Sequence, residues 1–437
     1  MKFYIEPLGC VKNQVDAETI ISNLNAAGAE LSENPDEADL VIVNSCGFIE
    51  EAKQESINTV IGFRRDYPDK KIILSGCLAQ RYQEELRREL IEADAVFGNS
   101  RLDDITALAF SVTGAERGIS RRAETERIKL LSLPGSAYVK IAEGCDNRCS
   151  FCAIPLIRGG LVSRSIDDIV SECRGLLKRG VRELCLVAQD LASYGAGTSE
   201  SLPGLLSALS ALDSDFWVRL LYLHPDHFPF KILETIASDK RFLPYFDIPF
   251  QHASPSLLRA MNRRGGAEEY LDLIARIRAA VPDSVIRSTF LTGFPGETYT
   301  DFDILLDFQD AARMDWLGVF VFSREDGVPA YSFKNRVSKK TARERKTILE
   351  TRQTPITETR MDRFIGRRMR ALVEEKLDAF YLGRLFCQAP EVDGALVIES
   401  AHPLQLGAFV DGIITGRAGF DLRMLPAPTS GFTYAPR

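Results

Sequence analysis

Cys145-Asp146-Asn147-Arg148-Cys149-Ser150-Phe151-Cys152 puts three thiols into one C-x3-C-x2-C run. It stands just behind the apolar stretch Tyr138–Ile141. A closed structural zinc site takes four tetrahedral ligands, and no second Cys pair or His pair follows at finger spacing. A cubane iron–sulfur cluster carries four irons, so three thiolates leave one iron open to a small chelating molecule. The competing reading is a zinc loop completed by a distant fourth ligand.

Working outward, Tyr138–Ile141 opens an alternating series. Strands are expected at Tyr138–Ile141, Glu183–Ala188, Trp217–Tyr222, Tyr245–Ile248, Ser284–Leu291 and Leu317–Phe322. Helical periodicity fills the gaps, as at Asp167–Lys178, Ala267–Ala280 and Tyr299–Ala312. Six strand–helix units are too few for an eight-fold barrel and predict an open (βα)6 barrel. The cysteine run then lies at the C-terminal edge, where barrel chemistry is found.

The first hundred residues alternate in the same way. Phe3-Tyr4-Ile5, Leu40-Val41-Ile42-Val43 and Ile72-Ile73-Leu74 read as strands. Ala17, Ile20, Ile21 and Leu24 form the apolar stripe of a helix between the first two. This predicts a small open parallel α/β domain. Cys10, Cys46 and Cys77 each follow one of these strands. Carboxyl ends of parallel strands share one sheet edge, so the three thiols can converge there as a second cluster site. The small residues Gly9, Ser45, Gly47 and Gly76 leave room for a bulky group. The bland alternative is three unrelated core cysteines. Cys173, Cys185 and Cys387 read as packing residues.

Residues 106–130 are polar and mixed, and read as a linker. A charged helix is expected from Lys339 to Arg363. Beyond it, the β-rich runs Met369–Val373, Leu396–Ile398 and Phe409–Ile414, separated by Gly, Pro and Asp, predict a small OB-like β-barrel. The boundaries expected are 1–105, 131–364 and 365–437.

The 437 residues carry a formal net charge of −7, spread along the chain. That excludes a general nucleic-acid or membrane binder. No apolar stretch is long enough to span a bilayer, and Met1-Lys2-Phe3-Tyr4-Ile5-Glu6 has no signal-peptide pattern. The expectation is a cytoplasmic protein whose nine cysteines are metal ligands or core residues rather than disulfides.

The run Gly144 to Pro155 resembles the radical S-adenosylmethionine (SAM) enzymes. Together with Gly9-Cys10-Val11-Lys12-Asn13, Asn44-Ser45-Cys46-Gly47-Phe48, Ser75-Gly76-Cys77-Leu78, Arg158-Gly159 and Ser163-Arg164, it resembles the methylthiotransferase family. The resemblance spans nearly the whole chain. It implies a methylthiotransferase domain, a radical-SAM core and a terminal TRAM domain. It further implies two 4Fe-4S clusters, an auxiliary one on Cys10, Cys46 and Cys77 and a SAM-binding one on Cys145, Cys149 and Cys152. Two SAM molecules would be used, one to methylate cluster-bound sulfur and one to generate a radical. SAM, an electron donor and a sulfur source are the partners such chemistry needs.

Within the family, Tyr194-Gly195 after Ala188-Gln189-Asp190, and Asp247-Ile248-Pro249-Phe250-Gln251-His252-Ala253-Ser254, resemble the branch that modifies the β-carbon of an aspartate in protein twelve of the small ribosomal subunit. Val11 departs from the proline usual there. The alternatives are a tRNA adenosine methylthiotransferase and a non-catalytic iron–sulfur RNA-binding or ribosome-assembly factor. From Gly366 to Arg437 eight basic residues face eight acidic ones. An RNA-gripping module normally carries a basic excess; contact with RNA through the terminal domain stays open. Gln189, Gln251, Arg287 and Thr289, at barrel strand ends, are the candidate SAM contacts, with Arg287 proposed for the SAM carboxylate. Each is equally readable as a satisfied polar lining residue. His224 and His227, around Pro225, read as a loop and are assigned no metal.

Overall fold

The computed structural model describes residues 1–116 and 127–427. The first sheet has five parallel strands: β1 (Lys2–Pro7), β2 (Glu30–Leu31), β3 (Leu40–Ser45), β4 (Lys71–Gly76) and β5 (Ala95–Phe97), in the order β2-β1-β3-β4-β5. Every residue of β3 is buried. A continuous apolar run is what a central parallel strand covered on both faces requires. Helix α1 (Val11–Ala26) packs Ala17, Ile20, Ile21 and Leu24 onto one face of the sheet, while α2 (Glu50–Asp66) lies against its other side through Val60.

Residues 105–113 form a helix whose Ile105, Ala109 and Phe110 join the core with α1. The sequence reading placed most of this stretch in a linker. Its apolar positions are too few to show against the polar flanks until the sheet is there to receive them. Residues 117–126 of that expected linker lie outside the described residues.

The central sheet contains β6 (Ser136–Lys140), β9 (Glu183–Val187), β10 (Trp217–Leu220), β11 (Phe242–Asp247), β12 (Val285–Thr292) and β13 (Trp316–Val321). Its order is β13-β12-β11-β10-β9-β6, all parallel and unclosed. This is the open (βα)6 barrel. A two-stranded ribbon, β7 (Ala142–Glu143) with β8 (Val162–Ser163), stands at its mouth. Local signals and fold agree closely here. Helix Tyr299–Ala312, for example, opens with a capping box between Thr298 and Asp301.

After helix Lys339–Asp362 the chain builds a closed five-stranded barrel from β14 (Arg368–Lys376), β15 (Tyr381–Leu385), β16 (Leu396–Ile398), β17 (Phe409–Ala418) and β18 (Asp421–Pro426). Closure removes the exposed edges that such short strands would otherwise present. Among the described residues no helix is long and apolar enough to cross a membrane.

The two flanking domains occupy opposite ends of the central barrel. The terminal barrel docks where the central strands begin. Glu183, the first residue of β9, is fully buried between Arg219 (2.8 Å) and Arg384, and Arg384 also holds Glu374 at 2.6 Å. Ser136 Oγ donates to Glu183 at 2.8 Å, and Trp316 Nε1 donates to the Cys387 carbonyl at 2.7 Å. Burial alone would raise the Glu183 carboxyl, but the two guanidiniums hold it down at about 2.

Replacing Glu183 by Gln leaves buried guanidiniums without their main counter-charge. The expected loss is about 3–5 kcal/mol, read as a lowered unfolding midpoint in denaturant at pH 7. Because the folded carboxyl titrates near 2 against an ordinary 4.5, its contribution is complete above pH 4.5 and fades as pH falls towards 2. An unshifted midpoint in the variant would show that the seam does not depend on this charge.

Candidate active site

Cys10, Cys46 and Cys77 follow β1, β3 and β4, which are neighbours in the sheet. The three thiols therefore share one edge, and each sits in the electrostatic field of another: Cys10 acts on both Cys46 and Cys77. The glycines have a different role from the one expected. A Cβ at Gly9 would lie 2.9 Å from Cys46 Cβ; one at Gly47 would lie 2.7 Å from the Leu78 backbone; one at Gly76, where φ is +95°, would lie 2.5 Å from the Ser45 carbonyl. They do not clear space for a group. They let the three cysteine loops touch.

Asn13 ties those loops together. Its Nδ2 donates to the carbonyls of Leu8 (2.6 Å), Asn44 (3.0 Å) and Ser45 (3.0 Å), and Asn44 Nδ2 returns a bond to the Asn13 carbonyl at 2.7 Å. Each bond satisfies a buried polar group that would otherwise cost free energy.

Cys145, Cys149 and Cys152 lie on the loop after β7, at the C-terminal mouth of the central barrel. Gly144 starts the loop at φ +71°, and a Cβ there would meet the Gly160 carbonyl at 2.0 Å. Neighbouring strand ends hold the loop's backbone. Ser150 N donates to the Met261 carbonyl at 3.0 Å, and Asn262 Nδ2 donates to the carbonyls of Asn147 (3.2 Å) and Arg148 (3.0 Å). Asn147 Nδ2 donates to Asp190 at 2.8 Å. Cys152 feels both Cys149 and Cys145.

Asp190 is a hub that the sequence did not reveal. Besides Asn147 it receives Ser193 Oγ at 2.6 Å, and His227 Nε2 lies 2.6 Å from it. The hydrogen bond to Asp190 raises the His227 pKa, whereas burial lowers that of His224, stacked 4.8 Å away, to about 3. The His-Pro-Asp-His segment thus braces the cysteine loop.

Burial pushes the thiols of Cys77 and Cys152 up to about 12, with Arg158 opposing it at Cys77. At Cys10 burial is outweighed by Lys12, the Asn13 backbone and Arg158, and the pKa falls. Among the described residues no three Cys, His, Asp or Glu side chains converge tightly enough to hold a single metal ion. A tetrahedral zinc site needs such convergence. Thiols that sense one another without meeting at one point suit the wider frame of a cubane, so the residues present fit iron–sulfur clusters in both places.

The two trios face each other across one seam. Cys77 shares a buried apolar cluster with Ala153, Ile157 and Val328, which brings it beside the loop of Cys152. Arg158, with 3% of its side chain exposed, donates to Cys77 Sγ at 3.1 Å, to Asp16 of α1 at 2.6 Å and to Glu143 at 3.3 Å. Lys140 Nζ reaches the same two carboxylates, both at 2.6 Å. Arg81, with Lys53, pairs with Glu325 farther along this seam, at 2.7 Å and 3.1 Å. The N-terminal domain therefore caps the barrel mouth.

Of the four candidate SAM contacts, Gln251 and Thr289 stand at the mouth with side chains that have no hydrogen-bond partner printed among the described residues. Gln251 adopts φ +68° while its backbone bridges to Thr289 (2.8 Å) and Leu291 (2.7 Å). Gln189 donates Nε2 to Glu143 at 2.9 Å and keeps a buried, unsatisfied Oε1. Arg287 is corrected. Its guanidinium lies 3.0 Å from Asp247 and 3.5 Å from Asp393 of the terminal barrel, so it is already neutralised where the two barrels meet. Cys173, Cys185 and Cys387 are wholly buried. Asp16, Glu143, Lys140 and Asp190 were missed because a charged residue in a lone sequence reads as solvated.

Comparison with known proteins agrees with this organisation. Residues 2–98 match the uncharacterized protein family UPF0004, 139–308 the radical SAM superfamily and 365–424 the TRAM domain. The radical S-adenosylmethionine methyltransferase TsrM from Kitasatospora setae superposes with a TM-score of 0.56 at 15% identity, over 75% of this chain and 74% of that one. The cobalamin-dependent radical enzyme OxsB superposes at 0.52 and 11%, over 80% and 56%. At such identities the likeness concerns the fold.

Sequence relatives are nearer. The ribosomal protein uS12 methylthiotransferase RimO of Treponema denticola is 45% identical over 95% of this chain and 98% of its own length. That of Aquifex aeolicus is 40% identical over 97% and 96%, and that of Thermotoga sp. 39% over 97% and 99%. With full-length identity at this level, and with both cysteine trios on one domain seam, the chain belongs to the RimO family of ribosomal protein uS12 methylthiotransferases.

Proposed function

We propose that this chain adds a methylthio group to the β-carbon of an aspartate of ribosomal protein uS12, in the cytoplasm. The observation that carries the reading is the juxtaposition of two three-thiol sites across one seam. Cys145, Cys149 and Cys152 would hold the SAM-binding 4Fe-4S cluster, and Cys10, Cys46 and Cys77 the auxiliary one. When bound, the two clusters and SAM supply the one-electron chemistry and the methylthio sulfur that breaking an unactivated C–H bond demands, which side chains alone do not provide.

The residues of the chain do the positioning. Asn147, Asp190 and His227 immobilise the Cys145–Cys152 loop. Gln251 and Thr289 offer free polar groups to SAM, and Gln189 offers its unsatisfied Oε1; Arg287 does not enter this set. Arg158 holds Cys77 against the barrel, so the distance between the two thiol trios is set by a buried ion network rather than by a flexible hinge. Capping of the mouth by α1 excludes water from the space between them, which protects a radical from quenching. An external electron donor and a sulfur source complete the reaction.

The terminal barrel's even charge favours a protein substrate over tRNA. Mass spectrometry of purified uS12 and of bulk tRNA, each incubated with reconstituted enzyme, SAM and reductant, separates the two. The expected outcome is a methylthio addition on uS12 alone. Modified tRNA beside untouched uS12 would transfer the assignment to the nucleoside branch.

Anaerobically reconstituted protein should contain about eight irons. Substituting Cys145, Cys149 and Cys152 by Ala should abolish 5′-deoxyadenosine release and retain about four irons. The Cys10, Cys46 and Cys77 triple variant should still cleave SAM but insert no sulfur. Methylthiolated product from that variant would refute the donor role of the N-terminal site.

A further inference from the structure

Lys12 is a buried cation without an anion. It lies in the first turn of α1, two residues after Cys10, and is 9% exposed. Its ammonium sits 3.9 Å from the centroid of the Tyr222 ring. Among the described residues no carboxylate or other hydrogen-bond acceptor is paired with it. The carboxylates at the seam are committed elsewhere: Asp16 to Lys140 and Arg158, Glu143 to the same two bases and Gln189, and Asp247 to Arg287 and the Tyr222 amide. A cation–π contact is worth about 2 kcal/mol when desolvated, which does not offset taking an ammonium out of water.

The platform beneath it is built rather than incidental. Tyr222 holds φ +69°, a costly conformation for an aromatic residue. Its backbone is pinned on both sides, by Leu191 N at 2.9 Å and Asp247 at 3.2 Å. Strain maintained in order to place a ring under an uncompensated charge points to a ligand that supplies the missing anion.

We propose that Lys12 is the specificity-determining residue for the substrate side chain, taking the γ-carboxylate of the target aspartate. This rests on the proposed function. The carbon that receives sulfur is bonded directly to that carboxyl group. A cation two residues from Cys10 therefore sets this carbon beside the centre held by Cys10, Cys46 and Cys77. Asparagine, which lacks the charge, and an adenine base are both rejected by the same contact.

The test measures binding of a synthetic uS12-loop peptide, and of its Asp→Asn counterpart, to reconstituted full-length enzyme. Wild type is expected to prefer the aspartate peptide by about tenfold or more, the scale of one charge-assisted hydrogen bond. In Lys12→Met the ratio collapses to about one, while iron content and SAM affinity are unchanged; Lys12→Arg retains a preference. If Lys12→Met loses iron, the ratio is read in Lys12→Gln, which keeps side-chain length and polarity.

A wild type indifferent to the Asp→Asn exchange, or a neutral variant that keeps the preference, overturns the inference. So does a neutral variant whose defect lies in SAM binding, because the anion would then belong to SAM. If wild type methylthiolates the aspartate peptide in these cases, only the role of Lys12 falls. If wild type modifies neither peptide nor intact uS12, the functional reading falls and Lys12 with it.

Discussion

The ion network of Asp16, Lys140, Glu143 and Arg158 is the constraint on which the rest of the molecule depends. Two acids and two bases are packed into a seam where Asp16 and Arg158 are almost wholly withdrawn from solvent. Such charges tolerate burial only when each is paired, and loss of one strands the others. The set therefore behaves as a single latch. It fixes α1 on β6, and through Arg158 it fixes Cys77. Since Cys10 caps α1 and Cys77 opens the helix after β4, latching α1 positions the N-terminal thiols relative to the Cys145–Cys152 loop. Burial raises and the two bases lower the Glu143 pKa, with the bases prevailing, so the latch stays charged at neutral pH.

Division of labour between the ends of the central barrel follows from this. At the mouth, where strands end, the N-terminal domain closes over the cysteine loop. Where the strands begin, the terminal barrel seats Arg384 on Glu183 and Asp393 beside Arg287 and Tyr245. The terminal barrel thus serves as a stopper for an open sheet that has no closure of its own, while the pocket at its far side, lined by Phe380, Glu399 and Arg423 among others, faces away from that contact. Arg287 shows how one residue can be misassigned between these ends: a strand-lining arginine looks like an anion receptor until its carboxylate partners arrive from two other domains.

The chemistry-bearing residues divide by how local their signals are. Cys145, Cys149 and Cys152 are legible because a covalent spacing of a few residues forces them into one loop whatever the fold. Cys10, Cys46 and Cys77 are legible one step later, because parallel strands must end on a common edge. The central strands and helices were readable for the same reason: periodicity is a local property of the chain. Lys12, Asp16, Glu143, Arg158 and Asp190 left no such trace. A charged side chain in sequence is most often solvated, and only the arrival of another domain turns it into a buried partner. The helix over 105–113 shows the same limit for apolar residues.

The sequence by itself determined the domain series, the two sets of sulfur ligands and the open barrel that carries one of them, since all three rest on spacing and periodicity along the chain. Tertiary structure alone decided that the two sets meet at one seam, that glycines bring the N-terminal loops into contact, and that Lys12 is left without an anion while Arg287 is not. Those outcomes depend on which charges from distant segments are buried together. The free energy of a buried charge is set by its partners in space, and no neighbour in sequence specifies them.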